Sequence, residues 1–134
     1  MLMSIEISKK VWLYLTVLGV TVILLLSIMA GLSRGQALAQ SQVVLTNAQS
    51  MVKGLKFFYQ DQNRYPTALE LQDRNLMLNY LSFFPPQEFP SSSCPQSFVY
   101  KRPALNSFQL NFCLNTGVGG FPTGWSSFTQ ASPL

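Results

Sequence analysis

The chain contains no histidine, and no aspartate or glutamate follows Glu88. The commonest general base and the commonest metal-binding side chain are the same residue, so its absence removes most hydrolytic and metal-dependent chemistry. The one close carboxylate pair, Glu70 and Asp73, falls on a short predicted helix, where capping or a solvated face accounts for it. Serines are numerous, but none has an evident base to activate it. No glycine loop leads into a helix: Gly117-Val118-Gly119-Gly120 follows a predicted strand and runs on to Pro122, which makes it a turn rather than a phosphate cradle. No enzyme, cofactor or metal is expected from these residues.

Charge is scarce as well. Charged residues are 10% of the 134, and although the formal balance is +4, the nine basic residues are scattered and form no run. Lys53 with Lys56 on a predicted helix, and Lys101 with Arg102 near a predicted turn, come closest to a nucleic-acid patch, and solvated faces explain both pairs. Cysteine is limited to Cys94 and Cys113. Two thiols without histidine do not complete a tetrahedral zinc site. They are either buried free thiols or, in an oxidising compartment, a disulfide. Closing that loop of about twenty residues contributes roughly 3 kcal/mol in the chain-entropy model, a large share for a small domain.

What the chain does have is a run without a single charge, Val11 to Leu32, which reaches about 33 Å as a helix, the thickness of a bilayer. Lys9 and Lys10 precede it and only Arg34 closely follows it, so the positive-inside rule places the N-terminus in the cytoplasm and the rest outside. The expected organisation is a cytoplasmic leader (1–10), a transmembrane helix (11–32) in a lipid bilayer, and one small extracytoplasmic domain (33–134). A rival reading takes Ala37-Leu38-Ala39 as a secretory cleavage site, but the apolar run exceeds the usual signal-peptide length, and a cut there would remove the start of the helix described next.

Residues 33 to 62 carry no proline, and Leu38, Leu45, Ala48, Val52, Leu55 and Tyr59, with Ser41 in the gap, recur at alternating threes and fours. That spacing predicts an amphipathic helix, widened by Val44, Met51 and Phe58, and continuous with the span as one rod of roughly 75 to 80 Å. Gly35 and Gly54 weaken it by about 1 kcal/mol each relative to alanine, and permit a bend or a close contact. Asn63 and Pro66 end it. Thr67 with Glu70 reads as a capping box opening a short helix to about Arg74, and Leu76 to Phe84 reads as a second, loosely helical segment sharing a broad face through Leu76, Tyr80, Leu81 and Phe84, with Met77 alongside. Beyond a proline–serine connection the period becomes two. Phe98 to Tyr100 predicts a strand stopping at Pro103, and Phe108, Leu110, Phe112 and Leu114 alternate with polar partners and Cys113 in a half-buried antiparallel strand. Trp125 to Phe128 offers a last edge strand. The fold class is α+β: a long N-terminal helix, transmembrane then amphipathic (33–62), packed on a small antiparallel sheet within a head of residues 63–134.

This order of elements resembles the type IV pilin and type II secretion pseudopilin superfamily. The resemblance is carried by Phe57-Phe58-Tyr59-Gln60-Asp61-Gln62-Asn63-Arg64-Tyr65-Pro66-Thr67, similar to the family's helix end, and by Phe108-Gln109-Leu110-Asn111-Phe112-Cys113-Leu114 with the Gly117 to Gly120 turn and Gly124, similar to a late strand and loop that carries a cysteine. It implies a structural subunit or accessory component of a cell-envelope filament, joined to other pilin-like subunits through the N-terminal helix. The chain departs from the family in having no glycine before the span and no acidic residue within it, where members carry a leader cleavage site and a glutamate. It also lacks the acidic loop that holds calcium in secretion-type members, so no calcium site is expected. The alternative function is a membrane-anchored binding module, such as a minor pilin contacting DNA or a surface, with Phe121 and Trp125 in the glycine-rich region as the candidate contact patch.

Overall fold

A computed structural model describes residues 9–81, 86 and 88–131. Of the leader, only the backbone of Lys9 and Lys10 falls among them; Phe84 of the second apolar segment lies outside the described residues, as does Pro85. The elements are α1 (Lys9–Gln62), α2 (Ala68–Gln72), α3 (Arg74–Met77), β1 (Phe98–Ala104), β2 (Ser107–Leu114) and β3 (Gly124–Ala131). The chain divides into two compact units, Met1–Gln36 and Ala37–Leu134, and α1 contributes to both.

In the first unit every described side chain from Val11 to Gln36 is exposed. The helix is long and apolar enough to cross a membrane. Its hydroxyl groups are satisfied internally: Thr16, Thr21, Ser27 and Ser33 each donate to the carbonyl three or four residues earlier, at 2.8 to 3.0 Å. A hydroxyl that bonds its own backbone adds little cost in a hydrocarbon surrounding.

In the second unit α1 lies against a three-stranded antiparallel sheet of order β1-β2-β3. The expected stripe is present but turned. The buried row is Ser41, Val44, Ala48, Met51, Leu55 and Phe58, with Leu45 of the expected stripe also buried beside it, so Val44, Met51 and Phe58 form its centre, Val52 and Tyr59 its half-buried margin, and Leu38 is 41% exposed. Both rows have the same three–four spacing and share Ser41, Ala48 and Leu55, so periodicity alone does not choose between them. The sheet chooses, through the inward side chains of β2: Phe108, Leu110, Phe112 and Leu114 are all buried, as alternation predicted.

Two hydrogen bonds fix the direction of the sheet along this part of α1. Tyr65 N–H donates to Leu105 O at 2.8 Å, and Thr116 N–H donates to the buried Ser41 hydroxyl at 2.9 Å. β2 therefore starts beside the end of α1 and finishes beside Ser41. There Gly119 and Gly120, with φ of +60° and +84°, make the tight turn between bridged Val118 and Phe121. A Cβ on Gly119 would come within 2.6 Å of Leu45 Cδ2, so the turn and the helix fit closely.

Four local expectations are corrected. The helix opened by Thr67 does not run to Arg74; it stops at Gln72, because the Asp73 carboxylate accepts from Asn75 and Leu76 N–H (3.0 and 3.3 Å) and starts α3 as a new N-cap. The segment from Leu76 is helical only to Met77. Met77 and Leu81 are buried while Leu76 faces solvent, so the face grouping Leu76 with Leu81 does not form. β1 does not stop at Pro103 but passes through it to Ala104, with the register broken between Lys101 and Ala104. An edge strand with an irregularity has no ladder donor for proline to remove. The last strand is β3, Gly124–Ala131, longer than Trp125 to Phe128 because its pairing with β2 is unbroken from Leu114↔Gly124 to Ser107↔Ala131.

Candidate functional site

Two outward-facing regions of the second unit carry the candidate groups: the tip where α1 ends, and the outer side of the sheet at β3. The tip begins with Asn63, whose φ of +53° ends α1 while its N–H donates to Tyr59 O at 2.8 Å. The turn carries Tyr65 into the core, its ring 4.7 Å from those of both Tyr59 and Phe108. Its backbone is held from three sides. Arg102 donates to Tyr65 O at 2.9 Å, the Tyr100 hydroxyl donates to Pro66 O at 2.7 Å, and Tyr65 N–H meets Leu105 O. Burial pushes the Tyr100 hydroxyl well above the ordinary phenol range, so it remains a donor. Arg102 is thus committed to holding the turn, which leaves Lys101 as the exposed member of that basic pair.

Beside the turn, Arg64 grips Glu70 with both guanidinium nitrogens (2.7 and 2.6 Å) and lies 5.5 Å from the centre of the Phe58 ring. Thr67 N–H donates to the same carboxylate at 2.7 Å, and Glu70 N–H returns a bond to the Thr67 hydroxyl at 3.1 Å, completing the capping box. The Arg64 bonds first, and the Thr67 N–H second, hold the Glu70 carboxyl down at about 2 against its ordinary 4.5. Arg64, Thr67, Glu70, Tyr100 and Arg102 thus bond within the tip, which makes it a structural latch. An apolar cavity of about 240 Å³ lies nearby, walled by Met51, Leu71, Leu81, Phe98 and Tyr100, with the Gln72 amide as a polar group. Among the described residues no cluster of three histidine, cysteine, aspartate or glutamate side chains is positioned to hold a metal ion.

At the sheet, Cys94 and Cys113 form a disulfide with Cα atoms 5.6 Å apart, joining the connection before β1 to β2. The connection is tied down around it. Cys113 N–H donates to Ser97 O (3.0 Å), the Ser97 hydroxyl accepts from Phe89 N–H (2.8 Å), and the Ser91 hydroxyl donates to Asn115 Oδ1 (2.6 Å). Cys113 registers with Trp125, Asn111 with Ser127 and Gln109 with Thr129, so these side chains share the face turned away from α1. The structure separates the two candidate contact residues. Trp125 is 48% exposed on this face, whereas Phe121 packs edge-on against Phe112 at 5.2 Å and Phe128 at 5.5 Å and belongs to the margin of the core. Sequence pattern could separate them only through strand parity, since Trp125 has the odd-numbered phase of Cys113 while Phe121 lies outside any strand.

In comparisons with protein-family models, curated proteins and solved structures, nothing matches this chain.

Proposed function

We propose that the chain is a membrane-anchored, pilin-like structural subunit or accessory component of a cell-envelope filament, with its N-terminus in the cytoplasm and its disulfide-bearing head outside. The observation that carries this reading is α1: residues 11–32 expose apolar side chains all round, and the same helix supplies the core row of an α+β head. Apolar surface on that scale is covered by lipid or by like helices, and a head stapled by a disulfide suits an oxidising compartment. Lys9 and Lys10 supply the topology signal. The resemblance at the Tyr65-Pro66 turn and around Cys113 adds the filament to what would otherwise be an anchor.

The test has two arms. Protease added to sealed spheroplasts should digest the head and leave a membrane-protected fragment of α1, and a photo-crosslinker at Leu18 or Leu25 should join copies that are recovered in sheared surface filaments. Protection of the head in sealed spheroplasts overturns the topology. Recovery of the chain only as a membrane monomer, with the filament machinery intact, reduces the reading to a simple anchor.

A second reading, an extracytoplasmic binding module, rests on exposed Trp125. Retention on DNA that fell steeply with salt would favour it, since phosphate contacts release counterions.

A further inference from the structure

Protein interiors leave few voids larger than a water molecule, and the head keeps one that is much larger. The cavity beside the latch has a volume of about 240 Å³. Its walls come from three elements, Met51 of α1, Leu71 of α2, and Phe98 and Tyr100 of β1, together with Leu81. Met51, Leu71 and Leu81 are buried, Phe98 and Tyr100 are half-buried, and Ala68 and Gln72 are exposed. The space therefore deepens from a mouth at α2 to a floor in the core.

The chemistry of the walls selects what can fill it. At liquid density the space is that of about eight waters, each needing about two to four polar partners. Among the described side chains that line it, only the Gln72 amide and the Tyr100 hydroxyl are polar, and the hydroxyl already donates to Pro66 O at 2.7 Å. Water is a poor occupant. An ion is a worse one, since no charged side chain lines the cavity among the described residues, and Arg64 and Glu70 of the adjacent latch are spent on each other. An apolar molecule meets neither cost, and the rings of Phe98 and Tyr100 with the Met51 thioether suit an aromatic one. An apolar cavity of about 150 Å³ takes benzene, so this one admits a ring bearing a side chain of about two or three atoms. The Gln72 amide makes no hydrogen bond among the described residues, which leaves it to meet one polar group at the mouth.

We infer that this cavity is a binding site for a neutral aromatic molecule of about ten heavy atoms, its ring among Met51, Leu71 and Phe98 and its one hydrogen-bonding group at the Gln72 amide. Such a molecule touches α1, α2 and β1 at once. α2 carries Glu70 and β1 carries Tyr100, the partners of Arg64 and of Pro66 O, so occupancy stiffens the latch from inside. This inference uses no residue of the 11–32 segment and does not depend on the filament reading.

The experiment is methyl-resolved nuclear magnetic resonance of the full chain in detergent micelles, titrated with phenylethanol, its hydroxyl-free counterpart propylbenzene and the phenylpropanoate anion. Methyl groups of Leu18 and Leu25 report each probe's partition into the micelle, and those of Met51, Leu71 and Leu81 report the cavity. Both neutral probes should give saturable shifts at the second set, with cross-relaxation from their ring protons, and the anion none. Gln72→Leu should weaken phenylethanol by about three- to tenfold while leaving propylbenzene level or tighter. Ala68→Phe, which blocks the exposed mouth, should abolish saturation by both, and unchanged Leu114 methyl signals at the Ser41 end of β2 show that each variant is folded. Shifts confined to Leu18 and Leu25 mean that water or the chain itself fills the space, and overturn the inference. Saturation by the anion to the same degree overturns it as well, as does saturation that persists in Ala68→Phe. An equal effect of Gln72→Leu on both neutral probes overturns the assignment of the polar group.

Discussion

Replacing Gly54 by alanine sets a rule of local structure against a fact of packing. Gly54 lies in the interior of α1, where alanine is favoured over glycine by about 1 kcal/mol. Helix propensity alone therefore expects Gly54→Ala to stabilise the protein. In the folded chain a Cβ at this position would lie 2.5 Å from Leu81 Cδ2, 2.5 Å from the carbonyl oxygen of Tyr80 and 3.2 Å from its carbonyl carbon. The leucine methyl can swing aside, but the Tyr80 peptide is main chain, held by Tyr80 N–H to Met77 O and Leu81 N–H to Met77 O at 2.9 and 2.8 Å. Moving it disturbs buried Met77 and the edge contact of Tyr80 with Phe58, 5.0 Å between ring centres. Overpacking costs about 1–3 kcal/mol, and a clash with main chain that cannot swing aside belongs in the upper half of that range, so the substitution should be destabilising by about 1–2 kcal/mol after the helix gain of about 1 kcal/mol is subtracted. In a head of this size that is a fall in melting temperature of roughly 5–10 °C. Gly35→Ala is the matched control, because a Cβ there meets nothing within 4 Å and should leave stability level or slightly raised. Thermal and urea unfolding of both full-length variants in detergent, followed by near-ultraviolet circular dichroism, reads the difference. A Gly54→Ala protein as stable as wild type, or more so, would refute the close approach of α1 to the Tyr80–Leu81 backbone.

Three further outcomes are expected. Reduction of the Cys94–Cys113 bond should lower the unfolding free energy by roughly 3 kcal/mol, checked by urea titration with and without reductant; an unchanged midpoint would remove the disulfide from the stability of the head. Glu70 has a folded-state value of about 2 against 4.5, so the contribution of its bonds to Arg64 is complete above about pH 4.5 and is lost as pH falls towards 2. Acid titration of stability should show that loss in the wild type and a flatter profile in Glu70→Gln. Finally, Phe112→Ala should cost about 3–5 kcal/mol, because the side chain is fully buried between Phe121 and Phe128, whereas Trp125→Ala should stay within about 0.5 kcal/mol of wild type. A large effect at Trp125 would contradict its exposed placement.

Sequence by itself determined the elements whose causes are local. The charge-free run and the proline-free stretch after it specify α1, since helical hydrogen bonds and side-chain period need no distant partner. Asn63 in the left-handed region, the capping box at Thr67 and Glu70 and the alternation along β2 were legible for the same reason, whereas Cys94 and Cys113 stood as free thiols or a disulfide until the fold brought their Cα atoms to 5.6 Å. Tertiary structure decided the rest. Two rows on α1 satisfy the same spacing, and only the inward face of β2 makes Val44, Met51 and Phe58 the buried centre. Pro103 remains in β1 because that strand lies at an edge, and α2 ends early because the Asp73 carboxylate finds the free amides of Asn75 and Leu76. The fates of Phe121 and Trp125 diverge because one ring lies beside Phe112 and the other is turned outward with Cys113's side of the sheet. Period and composition say that a side chain needs cover; which neighbour covers it depends on how the elements meet in space, and one strand's pattern carries no information on that.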